Sequence, residues 1–310
     1  MSTIWESLFS KNGLAARKIA KKLIHVEEGG RIPRVEDFAQ TLSIGRGTIQ
    51  EGFRVLSNMH ALKVESRGYL GTYLVYKNIH LLKEIAGEGA LVGAMPLPYS
   101  RRYEGLATGL IEVSESMSEQ VNMAYMRGSR QRLEGLKSRR HDFAVMSRLA
   151  AEEEMKQDRE LEIAADFGAE TFVTSHRIFL ADPSKHYIQD GMRVGVDYSS
   201  IDQSFITALE CKHLDVEFVP INYMQLFENL QQGNLDAAVW NPEETRIAET
   251  FNTVDFRNPE TNAIAEKASI AAILIEKNRT DVHHLFKQID RHKVVSIQKL
   301  VVDKEKLPQY

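Results

Sequence analysis

Two stretches of this chain carry the same pattern 94 residues apart: Leu133-x-x-Leu136-x5-Asp142-x-Ala144-Val145 returns as Phe227-x-x-Leu230-x5-Asp236-x-Ala238-Val239. Each copy reads as an amphipathic helix feeding a short apolar strand, Asp142–Met146 in one and Asp236–Trp240 in the other. Another apolar run precedes each copy, Leu91–Met95 and Met192–Val196. Alternating strands and helices predict parallel sheets with right-handed crossovers, and a duplicated unit predicts two similar lobes. The repeat leaves the first 89 of 310 residues outside it. At roughly 150 residues per domain, that remainder is room for a second, smaller unit.

Charge separates the same two regions. The whole chain is −4, which by itself disfavours nucleic acid. Residues 1–78, however, hold 12 Lys/Arg against 7 Asp/Glu, a net of +5, whereas the rest holds 27 against 36, a net of −9. In the basic part, Ala16, Ile19, Ala20, Leu23 and Ile24 share one helical face under a polar cover of Arg17, Lys18, Lys21 and Lys22. Glu28-Gly29-Gly30 stops that helix, and Pro33 marks a restart with Val35, Phe38, Ala39 and Leu42 as the next apolar stripe. After Ser43-Ile44-Gly45 a third helix carries Ile49, Phe53 and Leu56 inward and Arg46, Thr48, Gln50 and Arg54 outward. Two short helices around a Gly-containing turn are a helix-turn-helix pattern. The period then changes to alternation at Leu62 and Val64, turns at Arg67-Gly68, and returns through Tyr69–Leu74, which predicts a β-hairpin wing.

The strings Gly30-Arg31-Ile32-Pro33, Phe38-Ala39, Ile44-Gly45-Arg46-Gly47-Thr48-Ile49, Leu56 and Gly71-Thr72-Tyr73-Leu74 resemble the winged-helix domain of GntR-type bacterial transcriptional regulators over about residues 14–75. The resemblance implies a third helix in the DNA major groove and a wing against the backbone. It matches Arg46 and Thr48 to DNA-contacting positions and Gly71 to the wing glycine. Arg34, Gln50, Arg54 and Arg67 complete the candidate DNA-binding set. Three positions depart from the family: Arg34-Val35-Glu36 replaces a usual Ser-Glu-Arg, Gly45 replaces a capping serine, and Gln50 replaces a common arginine. Gln pairs bidentately with adenine where Arg prefers guanine, so an unusual operator is expected.

The duplicated part resembles the type 2 periplasmic-binding-protein fold, in which two α/β lobes joined by two crossing segments clamp a small ligand. Glu170–Thr174 fits the first crossing and Ala268–Ile275 the return, with the C-terminal helices on lobe one. The combination resembles the YhfZ family of enterobacterial regulators. The expected fold class is thus multidomain: an α/β winged helix-turn-helix head (1–76), a linker (77–89) with a short helical pattern at Leu81–Ala86, and a two-lobed α/β periplasmic-binding-protein-like domain (90–310). Lobe one spans about 90–170 and 268–310, lobe two about 175–265.

In open parallel sheets, ligands sit beyond the carboxyl ends of the strands, beside helix N-termini. Those ends supply Tyr99, Ser100, Arg101 and Arg102, then Ser147, then Asp197, Tyr198, Ser199 and Ser200, then Asn241 and Glu243. Hydroxyls, helix-start amides and an arginine make a cradle for a small anionic or zwitterionic effector, with Arg101 or Arg102 as its charge partner. Ser100 and Ser199 serve equally well as plain helix caps.

Signs of other chemistry are few. No P-loop, Gly-x-Ser-x-Gly or His-Glu-x-x-His string is present, and no cofactor or metal is expected. The neighbours His283 and His284 diverge on a helix, the single Cys211 reads as packing, and Glu152-Glu153-Glu154 reads as a solvated helix start. The opening residues lack a basic stretch followed by an apolar one, and no apolar run approaches the ~20 residues of a membrane span, so a cytoplasmic protein is expected. The reading is a non-enzymatic, homodimeric regulator that binds a double-stranded DNA operator and answers to a small effector. Its rivals are an enzyme on the same two-lobed scaffold and an effector-independent DNA-binding dimer.

Overall fold

Ser10 starts the first helix by accepting a hydrogen bond from the Gly13 amide, and α1 (Lys11–Leu23) then buries Ala15, Ala16, Ile19, Ala20 and Leu23 on one side. The coordinates are a computed structural model, described here for residues 10–87, 89–244 and 251–309. They divide into two units, residues 1–89 and 90–310.

In the first unit α2 (Val35–Leu42) ends at Ser43 in the left-handed conformation (φ 55°), and α3 (Arg46–Asn58) follows after a two-residue turn. Small residues set how closely α3 lies on α1. A Cβ on Gly52 would stand 2.8 Å from Ile19 Cδ1 and 3.0 Å from the Ala16 nitrogen. Strands β1 (Leu62–Ser66) and β2 (Thr72–Lys77) form the antiparallel wing. Tyr69 and Leu70 lie in a 3-10 turn rather than in the strand, and Gly71 closes that turn at φ +98°, a conformation open chiefly to glycine. Within the expected linker, residues 78–87 are not free. Asn78 caps a fourth helix, α4 (Ile79–Ala86), whose Leu82 and Ala86 are buried in the same core as α1, and Arg17 Nε donates to the Ala86 carbonyl at 3.1 Å.

The second unit runs β3 (Leu91–Met95), α5 (Arg101–Ser116), β4 (Val121–Tyr125), α6 (Ser129–Lys137), β5 (Phe143–Ser147), α7 (Arg148–Gln157) and β6 (Leu161–Asp166) through lobe one. It continues with β7 (Arg177–Leu180), β8 (Arg193–Val196), α8 (Ile201–Glu210), β9 (Glu217–Pro220), α9 (Leu226–Gln231), β10 (Ala237–Trp240), β11 (Asn252–Val254) and α10 (Pro259–Ser269) in lobe two. The chain returns to lobe one as β12 (Ala271–Glu276), α11 (Thr280–Gln288) and α12 (Arg291–Val302). The two sheets have matching plans, β4-β3-β5-β12-β6 and β9-β8-β10-β7-β11, each with three parallel strands and an antiparallel fourth.

The sequence echo has a physical root. The Asp142 amide donates to the Val92 carbonyl while its carboxylate accepts from the Val92 amide, and Asp236 makes the same two bonds with Arg193. Each aspartate therefore pins the central strand of its lobe, and each is neutralised by an arginine, Arg279 at 2.6 Å and Arg193 at 2.9 Å.

The crossings are shorter than the sequence suggests. Ala271–Ile275 belong to β12, inside the lobe-one sheet between β5 and β6, so that only Ser269–Ile270 cross. The outward crossing, residues 167–176, is not a strand. Its Phe172 amide donates to the Ser269 carbonyl (2.8 Å) and its Thr171 hydroxyl accepts from the Ala271 amide (2.9 Å), laying the two crossings side by side as one hinge. Gly105 and Gly109 let α5 approach α12 closely, and Gln298 on α12 donates to the Thr171 carbonyl. The Glu152–Glu154 run lies in the second turn of α7, not at its start, where Glu152 pairs with Arg148 and Lys267. Cys211 is buried at the end of α8. Among the described residues no helix is long and apolar enough to cross a membrane.

Candidate functional site

Each unit presents one candidate site. In the first, Ile49, Gly52 and Leu56 turn α3 inward, which leaves Arg46, Gln50 and Arg54 exposed one helical turn apart, with Thr48 half-buried beside them. Arg34 starts α2, where its amide donates to the Asp37 carboxylate at 2.8 Å. Arg67 and Gly71 close the wing turn, the Arg67 amide donating to the Gly71 carbonyl. The Tyr69 ring between them is 93% exposed. Three of the arginines already have partners: Arg46 lies 3.5 Å from Glu36, Arg54 2.7 Å from Glu51, and Arg67 3.4 Å from Glu65. The Arg67 guanidinium also sits 4.6 Å above the Tyr73 ring.

In the second unit a cavity of about 90 Å³ lies between the lobes, where α5, α6, α7 and α8 begin. Tyr99, Ser147, Asp197, Ser199, Ser200 and Asn241, all expected from the sequence, line it. Ser147 caps α7 by accepting from the Ala150 amide and donates its hydroxyl proton across the cleft to Asp202, Oγ to Oδ1 2.5 Å. Ser200 caps α8, and the Ser199 hydroxyl donates to Asp197 at 2.6 Å. Gly128, at φ +76°, stands where an added Cβ would come 3.3 Å from the Ser199 carbonyl of the other lobe.

The other expected residues do not line the cavity. Ser100 caps α5, and Tyr198 is exposed. Arg101 reaches toward the Val301 carbonyl of α12 (3.5 Å). Arg102 forms a two-pronged pair with Glu243, at 3.1 and 2.9 Å, and also donates to the Glu170 carbonyl. That pair ties lobe one to lobe two instead of facing a ligand.

Two cations do line the cavity: the half-buried Arg127, which donates to the Asn222 side chain at 3.3 Å, and Arg132, 5% exposed on α6. One of the Arg132 donors reaches the Met126 carbonyl (3.2 Å), and its Nε is buried without a partner among the described residues. Burial pulls its pKa down to about 10, against the favourable fields of Tyr103, Asp202 and Tyr99. Three further buried polar atoms around the cavity lack partners among the described residues: Ser129 Oγ, His176 Nδ1 and Asn241 Nδ2. All four side chains are at least nine-tenths buried. Burial pushes His176 down to about 4, so it is neutral at pH 7, and pushes Asp202 up to about 6. Buried polar atoms are almost always paired, and four orphans around one cavity make a place for something that pairs with them.

Arg132 could have been found in the sequence. It falls four residues before Leu136 and beside Leu133, on the side of α6 that the apolar residues turn inward.

Comparison with known proteins gives the chain its relatives. Residues 27–74 match a helix-turn-helix domain family, and residues 78–310 match the YhfZ C-terminal domain family. The chain is 29% identical to the uncharacterized protein YhfZ of Escherichia coli K12 over 98% of its own length and 99% of the relative's. The crystal structure of YhfZ from Shigella flexneri, 31% identical, superposes with a TM-score of 0.60 over 71% of this chain and 93% of that one. The periplasmic aliphatic sulphonate binding protein SsuA from Escherichia coli, 14% identical, gives 0.52 over 70% of this chain and 75% of that one. This last likeness is one of fold alone, a two-lobed α/β periplasmic-binding-protein architecture, and the helix-turn-helix match lies ahead of it in the chain. The chain belongs to the YhfZ family.

Proposed function

We propose that this chain is a transcriptional regulator: a GntR-type winged helix that binds a double-stranded operator, coupled to a two-lobed domain that binds a small anionic or zwitterionic effector. The observation that carries the reading is the set of four buried, unpartnered polar atoms on Ser129, Arg132, His176 and Asn241 around one cavity, in a chain that also has a helix-turn-helix. The effector-independent rival fits a cavity lined by apolar groups alone, and this cavity is polar on both lobes. The enzyme rival needs reactive groups in the cavity. Its histidine is neutral and its carboxylates are bonded to serines, an arrangement that suits holding a ligand. The protein works in the cytoplasm, where the operator is, and as a homodimer, since helix-turn-helix dimers read half-sites ~34 Å apart or multiples of that.

On the DNA side, Arg46, Thr48, Gln50 and Arg54 read base edges while Arg34, Arg67 and the backbone at Gly71 hold phosphates. Selection from random duplexes with the full chain tests this. A two-fold consensus that is lost in Gln50→Ala with Arg54→Ala supports it; equal recovery of all sequences contradicts it.

A further inference from the structure

The walls of the cavity carry opposite charges that do not touch. Arg132 comes from lobe one and Asp202 from lobe two. Each feels the other's field, yet no ion pair joins them. Burying either charge without a contact partner is costly, and the usual remedy is a close counter-charge. Asp202 meets Ser147 through Oδ1 alone, and Oδ2 has no hydrogen-bond partner among the described residues. The orphaned groups lining the cavity include the donors Arg132 Nε and Asn241 Nδ2 and the hydroxyl of Ser129, a set that suits an oxyanion. A second carboxylate, the buried Asp197, lies in lobe two with the half-buried Asp202, beside Ser199 and Ser200. A simple anion would answer Arg132 and leave Asp202 Oδ2 facing it unanswered. A simple amine would do the reverse.

We infer that the effector is a small zwitterion, bound with its carboxylate or phosphonate against Arg132, Ser129 and Asn241 and its ammonium against Asp202 and Asp197. The inference rests on the effector-cleft reading above. Binding then bridges the lobes, because the two ends of one molecule are held by α6 and by α8. The volume of about 90 Å³ suits a molecule of only a few heavy atoms, a short amino acid or aminophosphonate, without reopening the cleft.

The test is calorimetry and thermal shift on the full chain with glycine, both enantiomers of alanine, β-alanine and 2-aminoethylphosphonate. Acetate, propionate, inorganic phosphate and ethylamine serve as single-charge controls. At least one zwitterion should bind tenfold or more tightly than every control, and Arg132→Met and Asp202→Asn should each abolish that preference while leaving DNA binding intact. If acetate, propionate or phosphate binds within threefold of the best zwitterion, the site takes anions and the inference is overturned, but the effector reading stands. If no zwitterion binds and a small-molecule cell extract still raises Tm, the inference is again the one that fails. If nothing binds, both fail. If Asp202→Asn keeps the preference, the ammonium assignment is wrong.

Discussion

The two units hold arginine in opposite ways. On the first, Arg46, Arg54 and Arg67 are exposed and each rests against a glutamate. In the second, Arg132 is buried with a donor that no group among the described residues accepts. Exposed pairs of this kind are worth ~0–1 kcal/mol, so a phosphate can take the place of the glutamate at little cost. A buried guanidinium short of partners has no such freedom. It is held ready for a counter-charge, and the neighbouring lobe does not bring one into contact. The exposed set therefore suits a reversible, salt-sensitive grip on a polyanion, and the buried one suits a single small ligand.

The largest expected effect follows from the buried side. Arg132→Met should weaken effector binding by ~2–5 kcal/mol, about thirtyfold or more, because the ligand's acidic end would be buried unpaired. Its Tm without ligand should hold or rise, since no ion pair is lost and a desolvated cation is removed. A clear fall in apo stability would mean that Arg132 is structural.

His176 marks the same contrast by pH. With its pKa pushed down to about 4 by burial, the folded second unit excludes a proton that the unfolded chain takes up near the ordinary value of about 6.5. Stability is therefore full above pH ~6.5 and falls as the pH drops through the window toward 4, by up to about 3 kcal/mol for this one group. Denaturant titrations at pH 7 and 4.5 should show His176→Gln losing less than the parent. Equal losses would break the point.

Packing in the first unit gives the next largest effect. Gly52→Val drives a branched side chain toward Ile19 and Ala16 and should cost ~1–3 kcal/mol, with DNA binding lost as that unit loosens and the effector site untouched. The smallest effects belong to the exposed pairs. Glu36→Gln and Glu51→Gln should each raise affinity for non-specific duplex two- to fivefold at low salt, within the ~1 kcal/mol such a pair is worth. An unchanged affinity would mean the glutamates do not compete with phosphate.

Much of this was legible in the sequence wherever a local period decided the outcome. The stripe Val35-Phe38-Ala39-Leu42 marks α2, and Ile49 and Leu56 mark the inner face of α3. The echo at Asp142 and Asp236 marks the two lobes, because in each an aspartate at the same step of the pattern must pin a central strand. What was not legible depends on partners distant in sequence. Residues 79–86 look like a linker helix until α1 covers Leu82 and Ala86. Ala271–Ile275 read as a crossing because nothing local says that β5 and β6 leave a gap between them. The carboxyl-end rule pointed to the right loops and the wrong cations. Arg101 and Arg102 have nearer partners in Val301 and Glu243, and Arg132 sits on a helix so polar, Ser-Arg-Gln-Arg-Leu-Glu-Gly-Leu-Lys, that only its spacing from Leu136 marks it as inward.

The central claim is that the two kinds of site are coupled in one chain. Fluorescence anisotropy on a labelled duplex carrying the selected consensus, with and without a saturating zwitterion identified by calorimetry, measures this directly. The account expects DNA affinity to change 5- to 150-fold, equivalent to ~1–3 kcal/mol of coupling, in the parent and not in Arg132→Met. The same DNA affinity with and without a verified, bound ligand would contradict it.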